Sequence, residues 1–95
     1  MSQKELSISE VQFSPIRQNN SLIGFCSFIL NDHIKINGVA VHSKLDGSGW
    51  RLTFPKKNEN TIIHPISLYA NEVILDAVTV KLAQIYGGNS NANNI

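Results

Sequence analysis

The stretch Ile62-Ile63-His64-Pro65-Ile66-Ser67 lies between the strand-like and the helix-like parts of this 95-residue chain. His64-Pro65 punctuates the chain at that boundary, because proline interrupts regular backbone hydrogen bonding. Ser67 is a suitable N-cap for the helix that follows, since its hydroxyl can accept a hydrogen bond from a free backbone N–H. A sheet followed by a C-terminal helix predicts an α+β fold.

The first half of the chain alternates between apolar and polar residues, which predicts a small twisted antiparallel sheet of four to five strands. The first strand has a phase slip at Glu10, which indicates a bulge, and we expect Ser14-Pro15 to close it. Residues 22–30 are rich in aromatic and β-branched side chains and form the second strand. The third strand is interrupted at Asn37-Gly38, and a bulge there is more economical than a second hairpin.

The next segment combines a turn with the clearest strand of the chain. Residues 45–49 supply the Gly and Asp that a hairpin reversal requires. Residues 50–54 then alternate strictly, and Pro55 ends this strand because it has no N–H for the ladder. Residues 56–60 are predicted to form a polar loop, and residues 61–66 a further short strand.

The helical segment carries two apolar lines. The stronger line covers an arc of about 100° and is predicted to face the sheet; it contains Ile74, Leu75, Val78, Leu82 and Ile85. The weaker line either packs against the strand preceding the helix or forms a dimer or partner surface; it contains Tyr69, Val73, Ala77 and Val80. We expect Gly87-Gly88 to stop the helix, so that residues 1–88 form a single domain and residues 89–95 a disordered Asn-rich tail.

Composition restricts the class of protein. The chain is 42% hydrophobic, and its net charge of +1 means that any contact with nucleic acid must depend on a local basic patch. The single Cys26 cannot form an internal disulfide and is expected to be a small buried hydrophobic residue. With neither a signal peptide nor an apolar stretch long enough to span a bilayer, a cytoplasmic protein that does not enter the membrane is expected.

No set of residues predicts catalysis. His33, His42 and His64 lie in separate segments without a paired cysteine motif, so neither a metal nor another cofactor is expected. Glu72 and Asp76 share a solvated helix face. The Gly47–Gly49 segment lacks the length and the Lys-Ser/Thr ending of a phosphate-binding loop. We therefore expect no enzyme and no small-molecule substrate. Since no aromatic side chain is expected at the surface for base stacking, sequence-specific recognition of a single strand is disfavoured.

A basic region is the main candidate site. It consists of Lys44, Arg51, Lys56 and Lys57. If Trp50 faces the core, Arg51 faces outward, and the hairpin can bring it near Lys44. These cations either contact nucleic-acid phosphates or form an ordinary solvated surface.

The order and spacing of these segments resemble the SpoVG family, the stage V sporulation protein G septation regulators. The similarity covers roughly residues 8–78. The residues that carry it are Ile8, Val11, Phe13 and Ile16, then Ile34, Ile36, Val39 and Val41, then Gly49, Pro55-Lys56-Lys57, His64-Pro65-Ile66 and Asp76-Ala77-Val78. The resemblance implies a homodimeric bacterial regulator that binds DNA or RNA and affects gene expression or cell division.

The chain departs from this family at several basic positions. They are occupied here by Ser14 and Pro15, by Ala40, and by Asn71 and Val73. Nucleic-acid binding carries over best to Lys56 and Lys57, next to Arg51, and poorly to the helix. The alternative is a dimeric protein-interaction module of the same fold that has lost most of its nucleic-acid affinity. The sequence does not distinguish DNA from RNA or identify target genes.

Overall fold

The computed structural model describes residues 5–86. Four strands form an antiparallel sheet in the order of the sequence: β1 (Ile8–Asn19), β2 (Leu22–Leu30), β3 (Ile34–Ser43) and β4 (Trp50–Thr53). A separate hairpin follows, made of β5 (Lys56–Lys57) and β6 (Asn60–Thr61), and the described chain ends with helix α1 (Leu68–Tyr86). The helix packs on the four-stranded sheet, which confirms the predicted α+β class.

Some sequence predictions fall outside these residues. The Gly87-Gly88 stop, the boundary at residue 88 and the Asn-rich tail at residues 89–95 all lie beyond the described range. The start of the helix lies within it. The Ser67 hydroxyl accepts a hydrogen bond from the Ala70 N–H at 3.0 Å, which confirms the predicted N-cap.

Both predicted bulges are present. At Glu10 the φ angle is 53° and the β1–β2 register shifts between Ser9 and Gln12. In β3, Asn37-Gly38 stands opposite a single β2 residue, because Ile36 pairs with Phe28 while Val39 pairs with Cys26. Gly38 has a φ of 76°, a backbone conformation that suits a residue without a Cβ.

Three local predictions were wrong. β1 does not close at Ser14-Pro15 but continues to Asn19. Proline is tolerated there because β1 is an edge strand that pairs only with β2 among the described residues. The predicted polar loop at residues 56–60 contains most of the β5–β6 hairpin, whose turn holds Asn58 at a φ of 57°. Of the predicted strand at residues 61–66, only Thr61 is in a strand.

The core lies between α1 and one face of the sheet. It is made of Cys26, Phe28, Ile36, Val39, Val41, Ile74, Val78 and Leu82. Cys26 is only 2% exposed, which confirms its expected role, and burial raises the pKa of its thiol to about 11. Ile85 was predicted to face this core but is 48% exposed, because in its turn the neighbouring Tyr86 is the residue that packs on the sheet.

An aromatic cluster joins the end of α1 to the sheet. The Tyr86 ring stacks on Trp50 with centroids 6.5 Å apart, and it meets the Phe13 ring edge-on at 6.1 Å. Phe13 lies against Gly24 of the neighbouring strand. A Cβ built on Gly24 would lie 2.7 Å from the Cε1 and Cζ atoms of Phe13 and 2.5 Å from the backbone oxygen of Ser14. The absence of a side chain at residue 24 is therefore a packing requirement.

We expect Gly24→Ala to lower the free energy of unfolding by about 1–3 kcal/mol, because overpacking forces the Phe13 ring and the β1 backbone to shift. Urea denaturation monitored by circular dichroism measures this change. Ser27→Ala, a half-buried change on the same strand, is the control and should stay within about 0.5 kcal/mol of wild type. Equal stability of the Gly24→Ala variant and wild type would show that the close approach is not a constraint.

Candidate nucleic-acid interface

The sheet has one face toward α1 and one face without a covering element in the described chain. Side chains alternate along a strand, so the burial of Cys26 and Phe28 against the helix directs Phe25 and Ser27 to the opposite side. Phe25 is 39% exposed. The expectation that no aromatic side chain is available at the surface was therefore wrong.

Strand pairing arranges the open face in rows that run across the sheet. The central row is Ser14, Phe25, Ala40 and Thr53, one residue from each of the four strands. The next row toward the β3–β4 hairpin is Asn19, Leu22, His42 and Arg51. On the other side, Lys35 pairs with Ile29. A single large aromatic ring thus lies among small residues, with a cationic side chain on either side along the strands.

Lys44 and Arg51 line the same open cleft, of about 690 Å³, at the hairpin end of the sheet. The hairpin is held by the Lys44 N–H, which donates to the Gly49 oxygen at 2.9 Å. Asn20 and Ser21 contribute polar groups to the cleft, and Asp46 contributes a carboxylate. The predicted proximity of Lys44 and Arg51 is confirmed, and the cleft has the cations and hydroxyl groups that bind phosphate oxygens.

Asp46 moderates the charge of this cleft. Its carboxylate accepts a hydrogen bond from the Ser48 N–H at 2.9 Å. Bonds from Ser48, with a smaller contribution from the charge of Lys44, lower the pKa of Asp46. The carboxylate is fully exposed and so offsets only part of the positive charge. Because Asp46 interacts with Lys44, Arg51 is a stronger candidate than Lys44 for phosphate contact.

His42 lies beside Arg51, its cross-strand partner. Its Nδ1 is 3.1 Å from the Ser21 hydroxyl oxygen. Burial is the larger cause that lowers the His42 pKa below 6.5, and the positive charge of Arg51 lowers it further. Both effects favour the neutral imidazole, so His42 adds a hydrogen-bonding group to this row at neutral pH without adding a charge.

Lys56 and Lys57 lie apart from that cleft. Both are exposed on the β5–β6 hairpin, where Lys56 pairs with Thr61 and Lys57 with Asn60. Four residues lie between Arg51 and Lys56, so their Cα atoms are at most about 18 Å apart along extended chain. The four predicted cations therefore form two groups along one margin of the protein, and the structure does not merge them into one cleft.

The weaker apolar line of the helix faces the β1 edge. The Tyr69 hydroxyl is 3.5 Å from the N–H of Leu6, just before β1. Val73 is half-buried and Val80 is 58% exposed. Val80 and Ala77 line an open groove of about 480 Å³ between α1 and residues 8–11. Ala77 and Val80 therefore lie beside β1 and not beside the segment that precedes the helix.

The structure also contains an apolar pocket that sequence reasoning missed. It has a volume of about 190 Å³ and is lined by Phe28, Phe54, Ile63, Pro65 and Ile66, among others. Ile66 is 91% exposed. The run of isoleucines around His64-Pro65 was the available signal, but a run of this length predicts a strand as readily as a surface cluster.

Two further observations concern the described residues only. Between residues 5 and 86, no group of three or more His, Cys, Asp or Glu side chains is placed to hold a metal ion. In that same range, no helix combines the length and the apolar character needed to cross a membrane.

Comparison with known proteins does not assign the chain to a family. No protein-family model matches the chain, and no curated protein is significantly similar to it. The resemblance to the SpoVG family therefore stays a prediction, and the geometry of the basic cleft and open sheet face is the main basis for a functional proposal.

We expect His42 to titrate by NMR with a midpoint below 6.5, and Arg51→Gln to raise that midpoint only part of the way, because burial is the larger cause. The folded state then binds the proton less tightly than the unfolded state. The contribution of His42 to stability should be constant above about pH 6.5 and should fall as the pH decreases from there through the folded midpoint. Lys57→Gln, which removes a cation on the other hairpin, is the control. An equal shift in both variants would contradict the assignment to Arg51.

Proposed function

We propose that this protein is a non-enzymatic regulator that binds DNA or RNA as a homodimer and contacts phosphates through Lys44, Arg51, Lys56 and Lys57. The observation that carries the proposal is the cleft shared by Lys44 and Arg51. The chain has a net charge of only +1, so long-range attraction is weak and affinity depends on cations brought together locally.

The position of the lysine hairpin supports the same proposal. Two consecutive exposed lysines on a paired strand hold their charges on a defined backbone. Asn60 and Thr61 on the partner strand add polar side chains suited to phosphate and sugar contacts. Together with the cleft, the hairpin provides two separate points of attachment, which suits an elongated polyanion better than a single small anion.

The resemblance to the SpoVG family agrees with this function and supplies its biological setting. It implies a bacterial protein that affects gene expression or septation, and the single Cys26 agrees with a cytoplasmic location. Lys56 and Lys57 are the family-like basic positions that this chain retains, whereas the helix carries Asn71 and Val73 in place of cations. We therefore assign the phosphate contacts to the β4 margin and not to α1.

We expect Lys56→Ala combined with Lys57→Ala to weaken duplex binding and to reduce the salt slope, d log K/d log[salt], by up to about 2, since each phosphate contact contributes about 0.9. Fluorescence anisotropy with a labelled duplex at several salt concentrations measures both quantities. Arg17→Ala, which removes an exposed cation of β1 outside the cleft, the groove and the lysine hairpin, is the control for general loss of charge. An unchanged slope in the double variant would remove these lysines from the mechanism.

Homodimerisation is proposed to use the groove between α1 and β1. Val80 exposes an apolar side chain there, beside Ala77, Ile8 and Val11. A second copy would cover these groups and shield them from water. Because the groove lies beside the β1 edge and the basic cleft adjoins the β4 margin, this arrangement leaves the cations of both copies accessible.

We expect Val80→Glu to convert a dimer into a monomer, because the contact would have to remove the added carboxylate from water. Size-exclusion chromatography with light scattering measures the mass. Ile85→Glu is the matched control, since Ile85 is also an exposed apolar residue of α1 but does not line the groove. A dimer that persists in Val80→Glu, or a wild-type protein that is monomeric, would exclude this interface.

The second candidate function is a dimeric protein-interaction module of the same fold. The exposed Val80 groove is the observation in its favour, because an apolar groove can bind a protein segment as readily as a second copy. Retention on immobilised DNA or RNA near physiological salt separates the two functions. A folded dimer that is not retained favours the interaction module.

A further inference from the structure

We propose that the open face of the sheet binds a single-stranded segment of nucleic acid, with one base stacked on the Phe25 ring. This inference rests on the proposed nucleic-acid function and specifies which form of nucleic acid is bound. The decisive feature is the central row of the face, Ser14, Phe25, Ala40 and Thr53.

The small neighbours of Phe25 leave room for a base. Ser14 and Ala40 are its direct cross-strand partners. Neighbouring strands lie about 4.8 Å apart, and side chains as short as these do not cover a phenyl ring at that distance. Phe25 is accordingly 39% exposed. An exposed aromatic ring on an open sheet is a stacking platform, because every base has a π-face.

Cations lie on both sides of this platform. Arg51 is in the next row toward the β3–β4 hairpin, and Lys35 is on the other side of the Asn37-Gly38 bulge. Rows two residues apart on a strand are separated by about 6.7 Å, similar to the reach of one nucleotide. Arg51 is one row from Phe25 but two strands across, on β4. Lys35 is two rows away, beyond the row of Gln12 and Ser27. None of the residues that the strand pairing places on this face is acidic. The face is therefore complementary to a phosphate chain that crosses the Phe25 row.

The same composition argues against a protein partner on this face. A stable protein interface requires a contiguous apolar centre, whereas the apolar β2 residues on this face, Leu22, Phe25 and Ile29, are interrupted by Ser27. Ser14 and Thr53 add polar groups to the Phe25 row. Arg51 also belongs to the basic cleft. A bound strand would thus pass directly from the stacking platform to the phosphate cleft.

The test compares two labelled single strands of about ten nucleotides, a length within the usual range for one domain. One is oligo(dT), and the other has the same backbone and charge but abasic sites in place of the bases. Phosphate contacts alone would give equal affinities. We expect the wild-type protein to bind oligo(dT) at least about fivefold more tightly, the minimum for stacking one base.

Phe25→Leu should remove this difference while binding of the abasic strand stays unchanged. Phe25→Tyr keeps a ring and should retain it. Leu68→Ala, which shortens an exposed apolar side chain on α1, is the matched control and should also retain it. Circular dichroism of each variant verifies the fold.

Several outcomes would overturn the inference. Equal affinity of wild type for both strands, or a preference for oligo(dT) that persists in Phe25→Leu, excludes stacking on Phe25 but leaves the phosphate-binding function in place. Loss of the dimer in Phe25→Leu would assign this face to a second copy instead. If the wild-type protein binds neither strand nor a duplex, the proposed function is also wrong.

Discussion

The packing of one helix on one face of the sheet is the constraint on which the rest of this structure depends. Val78 and Leu82 are buried against Val39, Val41 and Phe28. Burial of each such side chain contributes about 1.5–3 kcal/mol, and a chain of this size has few of them. Since only one helix lies in the described range, only one sheet face is covered. The second face of the sheet is open, and the cleft at its end is accessible, because no second helix covers them in the described range.

Part of this arrangement is predictable from sequence because it depends on local chemistry. The bulges at Glu10 and Asn37-Gly38 appear as breaks in alternation, and the N-cap at Ser67 follows from its hydroxyl before a periodic apolar run. The error at Pro15 has a different origin. Proline is excluded from the middle of a central strand but is tolerated in an edge strand. Which strand is at the edge depends on the tertiary structure, and the alternation of apolar and polar residues does not reveal it.

The candidate site was only partly predictable for the same reason. The proximity of Lys44 and Arg51 follows from a short hairpin, so the sequence is sufficient. Phe25 was missed because the β2 sequence is apolar on both sides, as is usual for a strand covered on both faces. Its exposure depends on the number of covering elements. Ile85 was mispredicted for a related tertiary reason, because in the last turn of the described helix it is Tyr86 that packs on the sheet.

The edge strand β1 has a further consequence for the behaviour of the protein at high concentration. The Glu10 bulge twists one end of its free edge, and Pro15 lacks the N–H that a neighbouring strand would need. Between them, only residues 11–14 offer an uninterrupted ladder, which is shorter than a usual strand. The backbone at this edge is therefore a poor template for fibre growth. At this edge, copies of the chain are left to associate through side chains rather than through backbone pairing.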